Sequence, residues 1–211
     1  IFFLLFSSLQ AFAHLRGAQK NCQSLPIVLL HGVNATSLSM EPLEHKLQNL
    51  CPNLLVYNIE IGRGRKDSFK NLWDQVEMFK DEIVKKPQLN DGFHLIAHSQ
   101  GGVIARAYVE MFHEEESTHR VQKLITLGSP HRGVDGIPEV NNTAPIIRKI
   151  DENLWRLAYQ KYLQGHISLA ELWNDPIHHQ KYLDKDIFLP VINNEVVHPL
   201  MDQFRQNIIS L

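Results

Sequence analysis

The stretch LIAHSQGG, Leu95 to Gly102, sets one hydroxyl, that of Ser99, between an apolar run and two glycines. A serine hydroxyl is a weak nucleophile at neutral pH until a base takes its proton. A sharp turn from strand to helix would hold Ser99 at the C-terminal end of the strand, by the positive end of the helix dipole. Such a turn crowds the residues two before and two after the serine. Here these are Ala97 and Gly101, and both are small. The chemistry this pattern suits is acyl transfer, which also needs backbone N–H donors aimed at a developing oxyanion. The residue after the nucleophile, Gln100, supplies one donor. The loop HGVNATS, His31 to Ser37, supplies the other, with Val33 as the donor. His31 is expected to orient that loop, and His98 to turn sideways into the fold.

The elements needed to position these groups are visible as alternating patterns. The runs LPIVLLHG and FHLIAH are continuous and apolar, as are most residues of LLVYNIEI, so all three read as buried parallel strands. VQKLITLGSP reads as a fourth strand. Leu43, Leu47 and Leu50 recur at helical spacing after the first strand. Phe69, Leu72, Trp73, Val76, Phe79 and Ile83 do so after the second, and Val103, Ala107 and Met111 after the third. This alternation predicts an α/β fold, a mostly parallel sheet with helices on both faces. The rhythm breaks after Pro130. Residues from about Val134 to about Pro199 hold helical stretches and prolines without a clear strand, and read as a helical insertion over the top of the sheet. Within it Trp155, Leu157, Ala158, Tyr162 and Leu163 are expected to cover something apolar. Leu200 to Ile209 looks like one more helix.

With a strand before Ser99 and a helix after it, the motif is the nucleophile elbow of α/β-hydrolases. In that fold the acid and base follow the serine in the order Ser, Asp, His. Asp135, Asp175, His178, His179, Asp184, Asp186 and His198 lie in the insertion or near its end and read as surface or supporting residues. The pair His178 and His179 does not read as a metal site, because adjacent side chains on a regular element diverge and no ligand spacing accompanies them. His131, at the end of the fourth strand, is expected to lie near the site. Arg63, Arg65 and Lys66, in GRGRK, are either a solvated loop or cations for the phosphates of an acyl-coenzyme A.

Composition bounds the rest. The 211 residues suffice for one domain, and 44% hydrophobic with 21% charged residues is ordinary for a globular chain. A net charge of −2 gives no reason to expect nucleic acid. The opening IFFLLFSSLQAFA reads as the apolar region and cleavage site of a signal peptide over residues 1–13, incomplete at its start. A buried or exposed N-terminal helix is the alternative. No later run approaches the ~18 apolar residues of a membrane span. The sequons at Asn34 and Asn141 agree with secretion. Cys22 and Cys51 are the only cysteines, and pairing or two free thiols both remain open.

The segments LPIVLLHG, LWDQVEMFKDEI, HLIAHSQGGVIARA and LITLGSPHRGVDGIP together resemble the palmitoyl-protein thioesterase family. The segment LWNDPIHHQKYLDKDIFLPVINNE is similar to its lysosomal, second branch. The resemblance runs from about Leu25 to the C-terminus. It implies an α/β-hydrolase domain over residues 14–211 that cleaves long-chain fatty-acyl thioesters, palmitoyl-coenzyme A or S-acylated proteins and peptides. It implies no cofactor, and a place in the secretory pathway, above all the lysosome. Ser99 matches the family nucleophile, and Gln100 and Val33 its oxyanion donors. The family's triad aspartate and histidine find no match; they are expected on strands beyond Leu211, with the chain a fragment at both ends. On that expectation the fourth strand is an exposed edge and the chain alone is nearly inactive. A carboxylester or triacylglycerol lipase is the alternative enzyme, and an acyl-binding product without turnover the alternative non-enzyme.

Overall fold

The computed structural model describes residues 24–112, 118–135 and 156–199. Four apolar runs become parallel strands: β1 (Ile27–Leu30), β2 (Val56–Ile59), β3 (Phe93–His98) and β4 (Val121–Leu127). Their order across the sheet is β2-β1-β3-β4. Successive side chains on a strand point to opposite faces, so the buried apolar residues at consecutive positions of β1 and β3 mean that both faces of the central strands are covered. On one face Val28, Leu30, Leu95 and Ala97 join the main core with Val76, Phe79 and Ile83 of α2 (Leu72–Val84) and Val103, Ile104 and Ala107 of α3 (Gln100–Phe112). On the other, Leu29 and Ile96 pack with Met40 and with Leu43 and Leu47 of α1 (Glu41–Leu50). Leu50, on the same helical spacing, is instead 70% exposed at the helix end.

α2 begins later than the apolar spacing suggests. Phe69 lies in a 3-10 turn, Gly64–Phe69, and Asn71 then caps the helix by accepting from Trp73 N and Asp74 N at 2.8 and 3.3 Å. A capped start removes orphan N–H groups that a helix running through Phe69 would have to place elsewhere. The two helices on that face meet through an edge-on pair, Phe79 and Tyr108, with ring centroids 5.1 Å apart.

β4 is covered less well than its neighbours. Ile125 and Leu127 are 46% and 42% exposed, and β3 is its one strand partner among the described residues. The described residues of the insertion include four short helices, α4 (Lys161–Gln164), α5 (Ser168–Glu171), α6 (His179–Lys185) and α7 (Leu189–Ile192). One isolated parallel bridge, Val134 to Trp173, ties it to the segment after β4. Arg106 of α3 holds its far end, donating to the Ile192 carbonyl and to Asn193 Oδ1. Trp155, Asn141, residues 1–13, Cys22 and the run Leu200 to Ile209 lie outside the described residues. Cys51, the proposed partner of Cys22, is buried and disulfide-bonded.

Candidate active site

β3 ends at His98, α3 starts at Gln100, and Ser99 alone makes the turn. Its φ of 54° lies in the left-handed region, where a residue with a side chain is strained. The turn is locked by Ser99 N donating to the Leu127 carbonyl at 2.9 Å, and by Gly102 N donating to the Ser99 carbonyl at 3.0 Å. The small neighbours have a measurable cause. A Cβ on Gly101 would come within 2.3 Å of the His31 carbonyl oxygen, and one on Gly32 within 2.9 Å of Ser99 Cβ. The loop after β1 therefore crosses directly against the elbow, and only glycines allow the two backbones to meet. Val33, Ser99 and Gln100 all line one cavity.

That cavity measures about 620 Å³, within the usual range for small-molecule sites of roughly 300–1,000 Å³. Among the described residues, Ser99 and Gln100 are its only polar lining residues; the others are apolar. Its roof comes from the insertion: Leu157, Leu163, Ile167, Ala170, Leu172 and Trp173 face it, with Val134 and Pro130 beside β4. Leu157, Ala158 and Leu163 thus cover the apolar space expected of them, whereas Tyr162 is 70% exposed.

The loop after β1 is fastened at several points. His31 is buried, with Nδ1 2.9 Å from the Gly32 carbonyl and Nε2 4.0 Å from Glu60 Oε2. The same Glu60 oxygen accepts from Ser37 N at 2.5 Å, and Asn58 Nδ2 donates to the Ser37 carbonyl at 2.8 Å. Asn34 has a left-handed φ of 53°, and its N–H donates to Ser68 Oγ at 2.8 Å. His98 departs from expectation. It is exposed at the last position of β3, on the face of Ile96 where the strand runs out, and does not turn into the fold.

The other titratable candidates are engaged elsewhere. His131 Nε2 is 2.9 Å from Thr126 Oγ1 on β4, and burial together with the Arg106 charge lowers its pKa. His198 stacks on Trp73 at 6.4 Å. His178 Nδ1 sits 2.5 Å from Asp175 Oδ2, a pair within the insertion whose hydrogen bond helps hold the Asp175 carboxyl below its usual range against the opposing effect of burial. Among the described residues no histidine is hydrogen-bonded to Ser99 Oγ, and no group of three or more His, Cys, Asp or Glu is arranged to hold a metal. Arg63 is committed to Asp67, donating from N and Nε to Oδ2 and from Nη2 to Oδ1. That hydrogen bond holds the Asp67 carboxyl far below the usual range. Arg65 and Lys66 are exposed on the same turn.

A set of buried polar residues supports the segments around the cavity; sequence patterns singled out Gln100, and Asp186 as a surface or supporting residue, but not Glu171, Ser68, Gln75 or Ser168. Glu171 is fully buried, accepting from Leu72 N at 2.6 Å and from Asn71 Nδ2. Burial, reinforced by Asp186 and Asp74 and opposed by the Leu72 N–H, pushes its pKa up to about 8. Asp186 caps the start of α7, accepting from Phe188 N and Leu189 N at 2.9 and 3.0 Å, and burial raises its pKa well above the ordinary range. Ser68, Gln75, Gln100 and Ser168 form a second buried polar group. No local signal marks Glu171 or the Ser68–Ser168 contact, since these partners lie 99 or 100 positions apart.

A parallel sheet in this order, with a strained serine between a central strand and its helix and a glycine-hinged loop opposite, defines an α/β-hydrolase with a candidate nucleophilic serine. Residues 26–211 match the family described as palmitoyl protein thioesterase. The chain belongs to that family. It is 40% identical to palmitoyl-protein thioesterase 3 of Dictyostelium discoideum over 171 residues, 81% of this chain and 56% of that protein. It is 31% identical to the lysosomal thioesterase PPT2 of Homo sapiens over 190 residues, 88% of this chain and 60% of that protein. The chain thus spans somewhat over half the length of these relatives. Among solved structures, an extracellular alpha/beta-hydrolase from a Paenibacillus species aligns with TM-score 0.43 and 21% identity, over 65% of this chain and 53% of that one.

Proposed function

We propose that the protein containing this chain is a serine hydrolase of long-chain fatty-acyl thioesters, acting through an acyl-enzyme on Ser99. The observation that carries the reading is the cavity: one strained serine opens into about 620 Å³ of almost wholly apolar space. A saturated chain gains about 0.8 kcal/mol for each buried methylene. A polar acyl group would leave its hydrogen-bonding groups unpaired there, at a cost of about 1–3 kcal/mol each.

In the proposed reaction Ser99 Oγ attacks the thioester carbonyl carbon as its proton passes to a base. The carbonyl electron pair moves onto oxygen, which accepts from the backbone N–H groups of Gln100 and Val33. Collapse re-forms the carbonyl and breaks the carbon–sulfur bond, and the sulfur takes the proton back from the base and leaves as the thiol. Water then attacks the acyl-serine by the same route and releases the fatty acid. The Val33 and Gln100 roles are supported by their lining the same cavity as Ser99, with Gly32, next to Val33, packed against the serine.

The names of the lysosomal relatives, the apolar start over residues 1–13 and the sequons at Asn34 and Asn141 support a lysosomal or secretory-pathway protein. The exposed side chain of Asn34 is accessible to a glycan. No helix among the described residues is long and apolar enough to cross a membrane.

The deciding experiment compares purified protein on palmitoyl-thioester and palmitoyl-oxygen-ester substrates, alongside fluorophosphonate labelling. The proposal expects labelling at Ser99 and faster turnover of the thioester. Labelling at another residue, or turnover of the oxygen ester alone, sinks it; the latter result would favour a lipase.

A further inference from the structure

Ser68 touches both sides of the proposed oxyanion site without lining the cavity. It is 2% exposed, on the 3-10 turn Gly64–Phe69. Its Oγ accepts from Asn34 N at 2.8 Å and donates to the Arg65 carbonyl at 2.8 Å. Asn34 directly follows Val33, so this bond fixes the peptide plane next to one proposed oxyanion donor. It also holds Asn34 at its left-handed φ of 53°.

The Ser68 carbonyl works on the opposite side. It accepts from Gln100 Nε2 at 2.7 Å, from Gln75 Nε2 at 3.2 Å and from Ser168 Oγ at 3.1 Å. Gln100 carries the other proposed donor, and Ser168 lies in the segment that roofs the cavity. One buried residue therefore ties three separate pieces of chain: the loop after β1, the start of α3 and the insertion. A polar residue that only filled space would need partners, but it would not need them on both donor-bearing segments.

We infer that Ser68 is a positioning residue for the oxyanion site, with its hydroxyl setting the Val33–Asn34 peptide while its carbonyl sets Gln100. The inference rests on the proposed role of Ser99 and its donors. The hydroxyl and carbonyl functions can be separated chemically. Ser68→Ala removes only Oγ; the main-chain carbonyl and its bonds to Gln100, Gln75 and Ser168 remain. The loop after β1 is then released while the rest of the network stays.

The test uses the whole protein and two ligands. Palmitate probes the apolar cavity. A trifluoromethyl ketone with a palmitoyl-length chain probes the oxyanion site, because Ser99 Oγ adds to its carbonyl carbon and the carbonyl oxygen becomes an oxyanion. Removing a whole oxyanion donor costs about 10²–10³ in kcat. A displaced donor is expected to cost about ten- to a hundredfold, with KM changed less than about twofold. In Ser68→Ala, binding of the ketone should weaken by the same factor as kcat, and palmitate binding should stay unchanged. Ser68→Thr, which restores the hydroxyl, should recover most of the loss. Wild-type turnover with an unaltered kcat in Ser68→Ala overturns the inference alone. So does equal weakening of ketone and palmitate, which would mark a merely structural role. A wild-type protein that neither turns over thioester nor reacts at Ser99 removes the functional reading itself, and the inference with it.

Discussion

The sheet with its elbow and the insertion that roofs it are held together by different forces. In the sheet, apolar residues on both faces bury themselves against helices of ten to thirteen residues, and the turn at Ser99 is closed by backbone contact. The insertion includes, among its described residues, helices of four to seven residues. Isolated helices shorter than about 12–15 residues are marginal in water, so its shape depends on what it docks against. The docking contacts combine apolar surface with buried polar clasps: Glu171 on the start of α2, Ser168 on Ser68, and Arg106 on the end of α7. The proposed nucleophile thus sits on the part closed by extensive packing. The cavity is walled by the part that depends on specific clasps, so on the proposed function chain-length preference is easier to alter than the reaction itself.

The largest effect should come from the rigid side. Ser99→Ala is expected to lower thioester turnover by at least about 10⁴-fold. Palmitate binding should persist, because the cavity walls are untouched. Fluorophosphonate labelling read by mass spectrometry checks it, and labelling of the Ala variant at the wild-type level would remove Ser99 from the mechanism.

On the other side of the comparison, Ala170→Phe puts a ring into the cavity from the roof. The ratio of kcat/KM for palmitoyl over butyryl thioester should fall by about a hundredfold, a loss that burial of three or four methylenes would account for at about 0.8 kcal/mol each. Short-chain turnover should hold within about threefold. If both substrates lose rate equally, roof and chemistry are not separable and the comparison breaks.

Glu171 gives the roof a pH dependence. Its folded pKa of about 8 lies above its ordinary value of 4.5. Below the ordinary value both states are protonated and its stabilising contribution is complete. As pH rises from there to about 8, the unfolded state ionises while the folded one holds its proton, so stability falls. Between the two values the loss runs at about 1.4 kcal/mol per pH unit. Urea midpoints at pH 5 and pH 8 should therefore differ more for the wild type than for Glu171→Gln, which cannot titrate. Equal pH slopes in the two proteins would mean that Glu171 is ionised in the folded state.

The smallest effect should come from Asn71→Ala, which removes the cap on α2 and the amide that donates to Glu171. Loss of such a cap costs about 1 kcal/mol. Faster proteolysis within residues 156–199 than within the sheet would show that the clasp acts on the roof. Uniform destabilisation would show that it acts on α2 alone.

The amino-acid sequence by itself determined the strands, the helices of the sheet region and the place of Ser99. Each of these follows from neighbours within about ten positions: apolar runs for buried strands, spacing of three and four for helices, small residues around a tight turn. Leu50 and His98 show the limit, since their burial depends on where an element ends. Only the tertiary structure decided which residues hold the site in place. Ser68 meets Asn34, Gln100 and Ser168 across 32 to 100 positions, and Glu171 meets Leu72 across 99. A buried polar side chain is stable where its partners converge, and that convergence comes from the packing of the whole chain rather than from any local pattern.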